Sequence, residues 1–352
     1  MTRSTGLVQL MILNIIIACL ILKGASGFSF ASVAHVVMNW TRGLTCYFQE
    51  CCGGKWISSN LTALQVDLNR NIHGQELAIH LVMTALKSHQ ERSKKPLVMV
   101  FHGGVGTGKN YVADFIAKHM FHAGLSSEFL HKWLGYRHFL GSDENATEFK
   151  RKVQTWVYDA LQRCDKQLFI IDEVDAIGDG VLDGLTPYMD FHEDIDGVSA
   201  IRSVFLFLTN AGSEDLIQIA EKNWESGHVR SNLKYHDFRE ALEVAAFNQE
   251  GGLKLSRVVK KALIDYHIPF IPLEKKHVKH CIEDEFQRRR INYSHEDVET
   301  ILKRIGIIPS RSARFAQIGC KRVAIEVDIY LNEIEHEHDH DHGPEDILKD
   351  EL

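Results

Sequence analysis

Residues 101–110, FHGGVGTGKN, constrain the fold of this chain more than any other part of its sequence. From Gly103 to Lys109 they match the phosphate-binding pattern G-x-x-x-x-G-K-[ST], whose backbone N–H groups surround the phosphates of a nucleotide. In this pattern Lys109 reaches the outer phosphates, and the next residue supplies a hydroxyl that ligates Mg²⁺. Asn110 stands there instead, so either the loop is inactive or it belongs to a group that works with Asn. The expected nucleotide-binding residues are Gly103, Gly104, Val105, Gly106, Thr107, Gly108, Lys109 and Asn110.

The sequence on either side of this loop predicts the strand and the helix that such a loop requires. Leu97–Phe101 is a continuous apolar run, typical of a strand that is buried on both faces. Val112, Phe115, Ile116 and Met120 then recur with helical spacing. A glycine turn without a ligand would need neither element, so the context favours a phosphate-binding loop.

Two further apolar runs end in polar residues, as strands of a parallel sheet do at a binding site. LFIIDEVDAI contains Asp172 and Glu173, and SVFLFLTNAG contains Asn210. We expect Asp172 and Asn110 to hold Mg²⁺. Glu173 would accept a proton from the attacking water, which Asn210 would orient. Acids also begin solvated helices and Asn also closes turns, but the set together predicts an ATP-hydrolysing, doubly wound parallel α/β domain.

The length of 352 residues allows two or three domains. We expect an α/β domain over residues 58–267, a smaller helical lid over 268–330 and a tail over 331–352. Residues 333–352 carry nine acidic groups and one lysine, whereas the whole chain has a net charge of −7, so the remainder is near +1. A near-neutral body argues against nucleic acid as a partner. For the His- and acid-rich tail, a solvated spacer is favoured over a metal site.

Both ends of the chain carry targeting signals. An apolar run over residues 7–22 precedes the small residues of KGASG, which predicts a signal peptide over residues 1–27, with a retained signal anchor as the alternative. Residues 28–57 would follow as a membrane-proximal segment. Its residues 28–40 are too short to span a bilayer, but they could lie on its surface or form an ordinary buried segment. Residues 349–352 are KDEL, an endoplasmic reticulum retention signal. These signals predict a location in the endoplasmic reticulum lumen.

A lumenal protein can carry glycans and disulfides. Asn60, Asn145 and Asn292 begin N-x-[ST] sequons. Of the seven cysteines, Cys19 lies in the expected signal peptide, which leaves six. Spacing does not choose among their pairings, and buried thiols are the alternative.

Two further motifs give the sequence a resemblance to a known family. NIHGQELA, residues 71–78, resembles the nucleotide-base box of Clp-type AAA+ ATPases, and GCKRV, residues 319–323, resembles their second sensor. Together with Asn110 and the lumenal signals, these motifs are similar to those of the torsin family, in particular invertebrate torsins, over residues 46–330. Torsins carry Asn after the loop lysine, so the resemblance implies that the loop is active.

The resemblance also implies roles for residues of the lid. Lys321, in the second sensor, would reach the γ-phosphate and report its presence to the lid. The implied disulfides are Cys281–Cys320 and Cys46–Cys164. Other torsins often lack KDEL, a difference that affects retention and not chemistry.

The same resemblance indicates what the chain lacks. Clp-type ATPases take an arginine finger from a neighbouring subunit, and alignment of KALIDYHIPFIPL places Leu263 at that position. Torsins receive the finger from lumenal domains of inner nuclear membrane and endoplasmic reticulum membrane proteins, which mimic an AAA+ subunit. Partners of this kind are therefore implied here, whereas the sequence does not reveal whether a homo-oligomer forms.

A threading unfoldase also needs an aromatic–glycine pore loop after its second strand. We expect that strand at HFLGS, residues 138–142. Gly135 and Tyr136 would then precede the strand, which disfavours threading.

Two functions remain. The first is a partner-activated, chaperone-like ATPase that remodels proteins of the endoplasmic reticulum lumen and nuclear envelope. The second is a nucleotide-gated binding module with little or no hydrolysis. Glu173 and Asn210 favour the first, because a module that only binds would need neither, and Leu263 keeps the second open.

Overall fold

A computed structural model describes most of the chain, which divides into two compact units, residues 1–56 and 57–352. The described residues are 46, 49–138, 142–248, 251–306 and 314–341. The expected signal peptide, residues 28–45 and the KDEL tetrapeptide lie outside them. Within the described part, every helix is too short or too polar to cross a membrane.

A five-stranded parallel sheet forms the centre of the second unit. The strands are β1 (Leu97–His102), β2 (Leu130–Leu134), β3 (Leu168–Asp172), β4 (Val204–Thr209) and β5 (Tyr266–Pro269). They lie side by side in the order β2–β3–β4–β1–β5, so β1 pairs with β4 on one side and β5 on the other. Because the strands are parallel, the carboxyl ends of β1, β3 and β4 lie close together at the same end of the sheet.

Helices surround this sheet and form a separate bundle after it. In chain order they are α1 (Leu61–Asn71), α2 (Glu76–Arg92), α3 (Lys109–Met120), α4 (Gly135–His138), α5 (Ser142–Arg163), α6 (Thr186–Met189), α7 (Ser213–Glu225), α8 (Tyr235–Asn248), α9 (Arg257–Lys260), α10 (Lys275–Arg289), α11 (His295–Arg304) and α12 (Val323–Asp341).

Residues that alternate along β1 enter two different cores. Met99 and Phe101 belong to a core that also takes residues of α1, α2 and α3. Val98 and Val100 belong to a second core with residues of α5. Because both faces of the central strands are covered, these strands consist of continuous apolar runs. The expected doubly wound α/β fold is confirmed.

The second strand is not where the sequence predicts it. β2 is Leu130–Leu134 and pairs with β3, whereas the prediction was residues 138–142. The strand was missed because its sequence, LHKWL, is half-buried at the edge of the sheet and mixes polar with apolar residues. Gly135 and Tyr136 therefore follow the strand, so their position no longer argues against threading.

The lid is a bundle of α10, α11 and α12 around a third core, which includes Val278, Ile282, Phe286, Ile301 and Val327. Its boundaries differ from those expected. β5 completes the sheet, so the α/β domain continues past residue 267. α12 runs through to Asp341, so the expected boundary between lid and tail at residues 330 and 331 falls inside a helix.

The disulfides agree with the expectation in one case and not in the other. Cys281 is bonded to Cys320, as the resemblance implies. Cys46 is bonded to Cys51, so the expected Cys46–Cys164 pair is wrong. Cys51 is only five residues from Cys46, and the Cα–Cα distance of 5.3 Å suits a disulfide. Closing so short a loop costs less chain entropy than reaching a distant cysteine.

The three sequons lie in different settings. Asn60 is exposed and caps α1, since its Oδ1 accepts a hydrogen bond of 3.0 Å from the N–H of Ala63. Asn292 is exposed in the loop between α10 and α11. Asn145 lies within α5. Glycosylation of these residues stays a prediction.

Leu263, at the expected finger position, is buried in the second core with 3% of its surface exposed. Its backbone oxygen accepts a hydrogen bond of 3.1 Å from Lys95 Nζ. A side chain at this position points into the fold, so an arginine introduced here would not be presented to a neighbouring molecule.

Leu263→Arg is therefore expected to destabilise the protein by about 3–5 kcal/mol rather than restore activity, because it removes a packed side chain and buries a charge. Urea unfolding monitored by circular dichroism would measure the loss. Leu263→Met, which keeps the volume, should cost less than about 1.5 kcal/mol. Equal stabilities for the Arg and Met variants would contradict the buried position.

Candidate nucleotide-binding and hydrolysis site

The phosphate-binding loop connects the carboxyl end of β1 to the first residue of α3, Lys109. The Lys109 side chain is buried and donates hydrogen bonds to Gly103 O, to Gly104 O at 3.0 Å and to Asn210 Oδ1 at 3.1 Å. Burial lowers the pKa of Lys109 to about 8, and the nearby carboxylate of Asp172 opposes this effect. Phosphate oxygens would compete for the same ammonium and stabilise its charge.

The second sensor lies directly against this loop. Cys320 N–H donates a hydrogen bond of 3.1 Å to Gly106 O. A Cβ atom added to Gly106 would lie 1.8 Å from Ile318 O and 3.1 Å from Lys321 Cβ. A Cβ on Gly319 would lie 2.3 Å from Gly106 O. Neither glycine can carry a side chain here, so the lid segment and the loop are packed backbone to backbone.

Lys321 is near the two charged groups that matter for hydrolysis. Its charge contributes to lowering the pKa of Lys109 and to opposing the upward shift of the Glu173 pKa. The structure thus places the expected second-sensor lysine beside the phosphate-binding loop. The sequence of the α/β domain could not predict the contact between the second sensor and the phosphate-binding loop, since the contact joins residues more than 200 positions apart.

The two expected metal ligands are in contact. Asn110 Nδ2 donates a hydrogen bond of 2.6 Å to Asp172 Oδ2. Asn110 is exposed and Asp172 is half-buried at the end of β3, so both can be reached by an ion. Carboxylate and amide oxygens are the hard ligands that Mg²⁺ prefers, and rotation of the Asn110 amide would present its oxygen beside the carboxylate. The residues therefore fit Mg²⁺.

Glu173 follows Asp172 in a left-handed backbone conformation, with φ 53°. Its N–H donates a hydrogen bond of 2.8 Å to Asp172 Oδ1. Partial burial, and next the charge of Asp172, raise the pKa of Glu173 above its ordinary value. A carboxylate with a raised pKa is a better proton acceptor than an ordinary one, which suits a general base.

Asn210 follows β4, and its side chain joins this set through Lys109. Its position depends on Asp175, a residue that the sequence analysis did not single out. Asp175 Oδ2 accepts a hydrogen bond of 2.8 Å from Asn210 N, and Asp175 Oδ1 accepts one from Thr209 Oγ1. The last acid of DEVD, Asp175, was the available signal, because an acid so soon after a strand end stays close to neighbouring strand ends.

Gln75, which is buried, and Arg230, which is half-buried, connect the expected base box to the phosphate-binding loop and to the segment between β5 and α10. Gln75 donates to Thr107 O at 3.0 Å and to Ile271 O at 2.8 Å, and its Oε1 accepts from Ile271 N at 3.1 Å. Arg230 donates to backbone oxygens of Gly74, Ile271 and Pro272. Burial lowers the pKa of Arg230 to about 10. Arg230 was also missed, since a lone arginine carries no sequence signal.

The fold is similar to that of solved AAA+ proteins. The Hsp104–ADP complex of Saccharomyces cerevisiae matches with a TM-score of 0.56 and 15% identity, over 80% of this chain and 48% of the Hsp104 chain. Hsp104 with ATPγS and casein matches with a TM-score of 0.51 and 15% identity. This chain thus spans about half the length of Hsp104. The fold, the loop and the strand-end residues define an AAA+ ATPase.

Sequence relatives narrow the class. The Torsin family profile matches residues 46–171. A torsin-like protein of Caenorhabditis elegans is 33% identical, over 88% of each chain. A torsin-like protein of Drosophila melanogaster is 35% identical over 80% of this chain and 85% of that protein, and Torsin-3A of Mus musculus is 31% identical over 81% and 76%. The chain belongs to the torsin family.

Cys320 is bonded to Cys281 and also donates its N–H to Gly106 O, so the Cys281–Cys320 disulfide is directly connected to the phosphate-binding loop. Cys320→Ser, or reduction of the wild type, is expected to shift nucleotide affinity severalfold in folded protein, because the segment that positions Lys321 relaxes. A disulfide that acts only as a staple would instead lower stability, by about 4 kcal/mol for a loop of this size in the chain-entropy model. Equilibrium nucleotide titration of the oxidised, reduced and variant proteins measures the effect.

Cys51→Ser is the matched control, since it removes the Cys46–Cys51 disulfide in the other unit of the chain. Its nucleotide affinity should equal that of the wild type. Three superimposable titration curves for the oxidised, reduced and Cys320→Ser proteins would rule out redox sensing.

Proposed function

We propose that this protein is a partner-activated AAA+ ATPase of the endoplasmic reticulum lumen and nuclear envelope, where it remodels other proteins. The observation that carries the proposal is the assembled hydrolytic set at one edge of the sheet. Lys109 contacts Asn210, and Asn110 contacts Asp172, which is followed directly by Glu173. A module that only binds nucleotide has no use for a base and a water-orienting amide beside the phosphates.

Each side chain has a defined part in the reaction. Lys109 and the loop N–H groups bind the phosphates, and Lys321 adds a second positive charge from the lid. Asn110 and Asp172 would hold Mg²⁺, which supplies charge neutralisation at the β- and γ-phosphates. Asn210 orients water and Glu173 accepts its proton as that water attacks the γ-phosphorus. ADP and phosphate are the products.

The need for a partner follows from the residue at the finger position. Leu263 is apolar and buried, so it cannot stabilise the charge that develops on the transferred phosphoryl group. A finger supplied from outside is worth about 10³–10⁵ in rate. Membrane proteins whose lumenal domains have an AAA+-like fold are the proposed source of this arginine.

Steady-state ATP hydrolysis by the purified protein, with and without the lumenal domain of such a membrane protein, tests the proposal. The protein alone should be nearly inactive, and the domain should stimulate turnover by two or more orders of magnitude, as a supplied finger does. The control is the same lumenal domain with its finger arginine replaced by alanine. This variant domain should bind the protein without stimulating ATP hydrolysis. ATP-dependent binding with no turnover would instead identify a nucleotide-gated binding module.

The proposed location is tested separately. Deleting residues 349–352 removes the ligand of the retention receptor and should move the protein into culture medium, measured by immunoblot of cells and medium. Replacement of KDEL by KDAS is the matched control for chain length and should have the same effect. Unchanged intracellular levels for both variants would indicate that residues 28–40 hold the protein at the membrane instead.

A further inference from the structure

Two buried histidines lie directly beneath the hydrolytic residues and have no part in the mechanism above. His102 is the last residue of β1, just before the phosphate-binding loop, and none of its surface is exposed. His267 lies on the neighbouring strand β5 and is 6% exposed. His102 Nε2 is 2.9 Å from His267 Nδ1, and His102 Nδ1 is 3.0 Å from Ala211 O.

The acceptor at one end fixes the protons along this pair. Ala211 O can only accept, so His102 Nδ1 carries a proton and donates it. In a neutral ring the other nitrogen, Nε2, is then an acceptor, and His267 Nδ1–H donates to it. Burial lowers the pKa of His102 to about 3 and that of His267 to about 4, which agrees with two neutral rings. The hydrogen bonds run in one direction, from β5 through β1 to the segment after β4.

This chain of hydrogen bonds ends next to Asn210, the residue that orients water. Asp175 holds the N–H of Asn210 at 2.8 Å, and Thr209 Oγ1 accepts the N–H of Ala211 at 3.0 Å. His102 Nδ1–H donates to the carbonyl oxygen of the same residue, Ala211 O. The backbone on both sides of Asn210 is thus fixed. Two hydrogen bonds tie it to the end of β1 and the start of the phosphate-binding loop: Gly103 N–H donates to Thr209 O at 3.3 Å, and the His102 side chain donates to Ala211 O.

We propose that His102 is a positioning residue for ATP hydrolysis, supported by His267, and that it holds Asn210 in register with the phosphate-binding loop. Lys109 and the loop N–H groups would bind the nucleotide itself, whereas the side-chain hydrogen bonds of His102 go to His267 and to Ala211 O. Loss of His102 therefore affects turnover far more than nucleotide affinity. The inference rests on the proposed hydrolysis and adds to it the residue that sets the water-orienting group.

His102→Leu and His102→Asn separate this role from simple packing. The leucine leaves Ala211 O without its donor, whereas the asparagine amide can donate from near the position of Nδ1. His89→Leu is the matched control, because His89 contacts a backbone oxygen, Ile201 O, at 2.9 Å, and Ile201 lies before β4, whereas Ala211 lies after it. Nucleotide dissociation constants, partner-stimulated kcat and KM for ATP, and melting temperatures are measured for all three.

The expected result is a fall in kcat of at least about tenfold for His102→Leu, since a small misplacement of a positioning group costs up to about 10²-fold. Its ATP affinity should stay within about threefold of the wild type, His102→Asn should recover most of the turnover, and His89→Leu should keep wild-type kcat. The inference is overturned if His102→Leu and His89→Leu lose equal turnover, or if His102→Leu loses as much affinity as turnover.

Deuterium exchange of a peptide that spans residues 203–213 tests the same point without any activator. With ATPγS bound, faster exchange in His102→Leu than in His89→Leu is expected, because Ala211 O has lost the hydrogen bond that the His102 side chain donates. Identical exchange in the two variants would overturn the inference. A wild type that no activator domain stimulates would count against the proposed hydrolysis, and the exchange experiment would still decide the role of His102.

Discussion

Glu173→Gln is expected to leave ATP bound and to slow partner-stimulated hydrolysis by about 10²–10⁴-fold, the usual contribution of a general base. The amide keeps the shape of the carboxylate and its contacts, but it cannot accept the proton of the attacking water. The Lys109, Asn110 and Asp172 contacts stay intact, so the protein should remain in the ATP-bound state and hold its partner. Single-turnover hydrolysis and the nucleotide content of the purified protein measure both effects.

Glu214→Gln is the matched control, because Glu214 is an exposed glutamate in the first turn of α7, after β4 rather than β3. It should hydrolyse ATP at the wild-type rate. Wild-type hydrolysis by Glu173→Gln in the presence of the partner domain would show that another group accepts the proton.

The strands that carry the site could be predicted because they are buried on both faces. β1, β3 and β4 each begin with an uninterrupted apolar run and end in a polar residue, and the polar groups that the chemistry needs lie at or just after these ends. The parallel sheet then places those groups together without further information, since carboxyl ends of neighbouring parallel strands share one edge. The Asn110–Asp172 and Lys109–Asn210 contacts were predictable for this reason.

The residues that were missed act through contacts that leave no periodic pattern. β2 lies at the sheet edge, where half-burial allows the polar residues of LHKWL. Within the described residues, the hydrogen bonds of Arg230 go to backbone oxygens, which any sequence supplies. His102 and His267 are 165 residues apart and become partners only because β1 and β5 are adjacent. Such pairs depend on strand order, which apolar periodicity does not encode.

The two disulfides also differ in how well the sequence predicts them. The Cys281–Cys320 pair followed from a family resemblance, and the structure contains it. The Cys46–Cys51 pair is local, but three cysteines within seven residues offer several equally short alternatives. Only the backbone geometry around Cys46 selects among them.

Acid is expected to unfold this protein well before its carboxylates are fully protonated. Burial lowers the pKa values of His102 and His277 to about 3 and that of His267 to about 4, from an ordinary 6.5. Each histidine therefore contributes stability that is complete above pH 6.5, where the unfolded chain is also neutral. That stability is lost as the pH falls toward the folded pKa, because only the unfolded chain then binds the proton.

The loss is about 2 kcal/mol for each histidine at pH 5, since one pKa unit corresponds to about 1.36 kcal/mol. The three together reach about 6 kcal/mol, which is comparable to the whole stability of an ordinary domain. The charge of Lys109 lowers the pKa of His102 further. Glu243 raises the pKa of His267 and Arg239 lowers it, so these charged neighbours do not cancel the effect of burial on either ring. Urea unfolding between pH 7.5 and 5 measures the free energy directly.

His267→Phe and His236→Gln make this prediction specific. His236 is exposed, so its replacement serves as the control for removing a histidine from the surface. His267→Phe removes one buried imidazole and should reduce that slope by about one proton, or about 1.4 kcal/mol per pH unit below pH 6. A free energy of unfolding that stays constant from pH 7.5 to 5 would mean that these rings accept protons in the folded protein. The neutral hydrogen-bonded pair of His102 and His267 would then not persist down to pH 5.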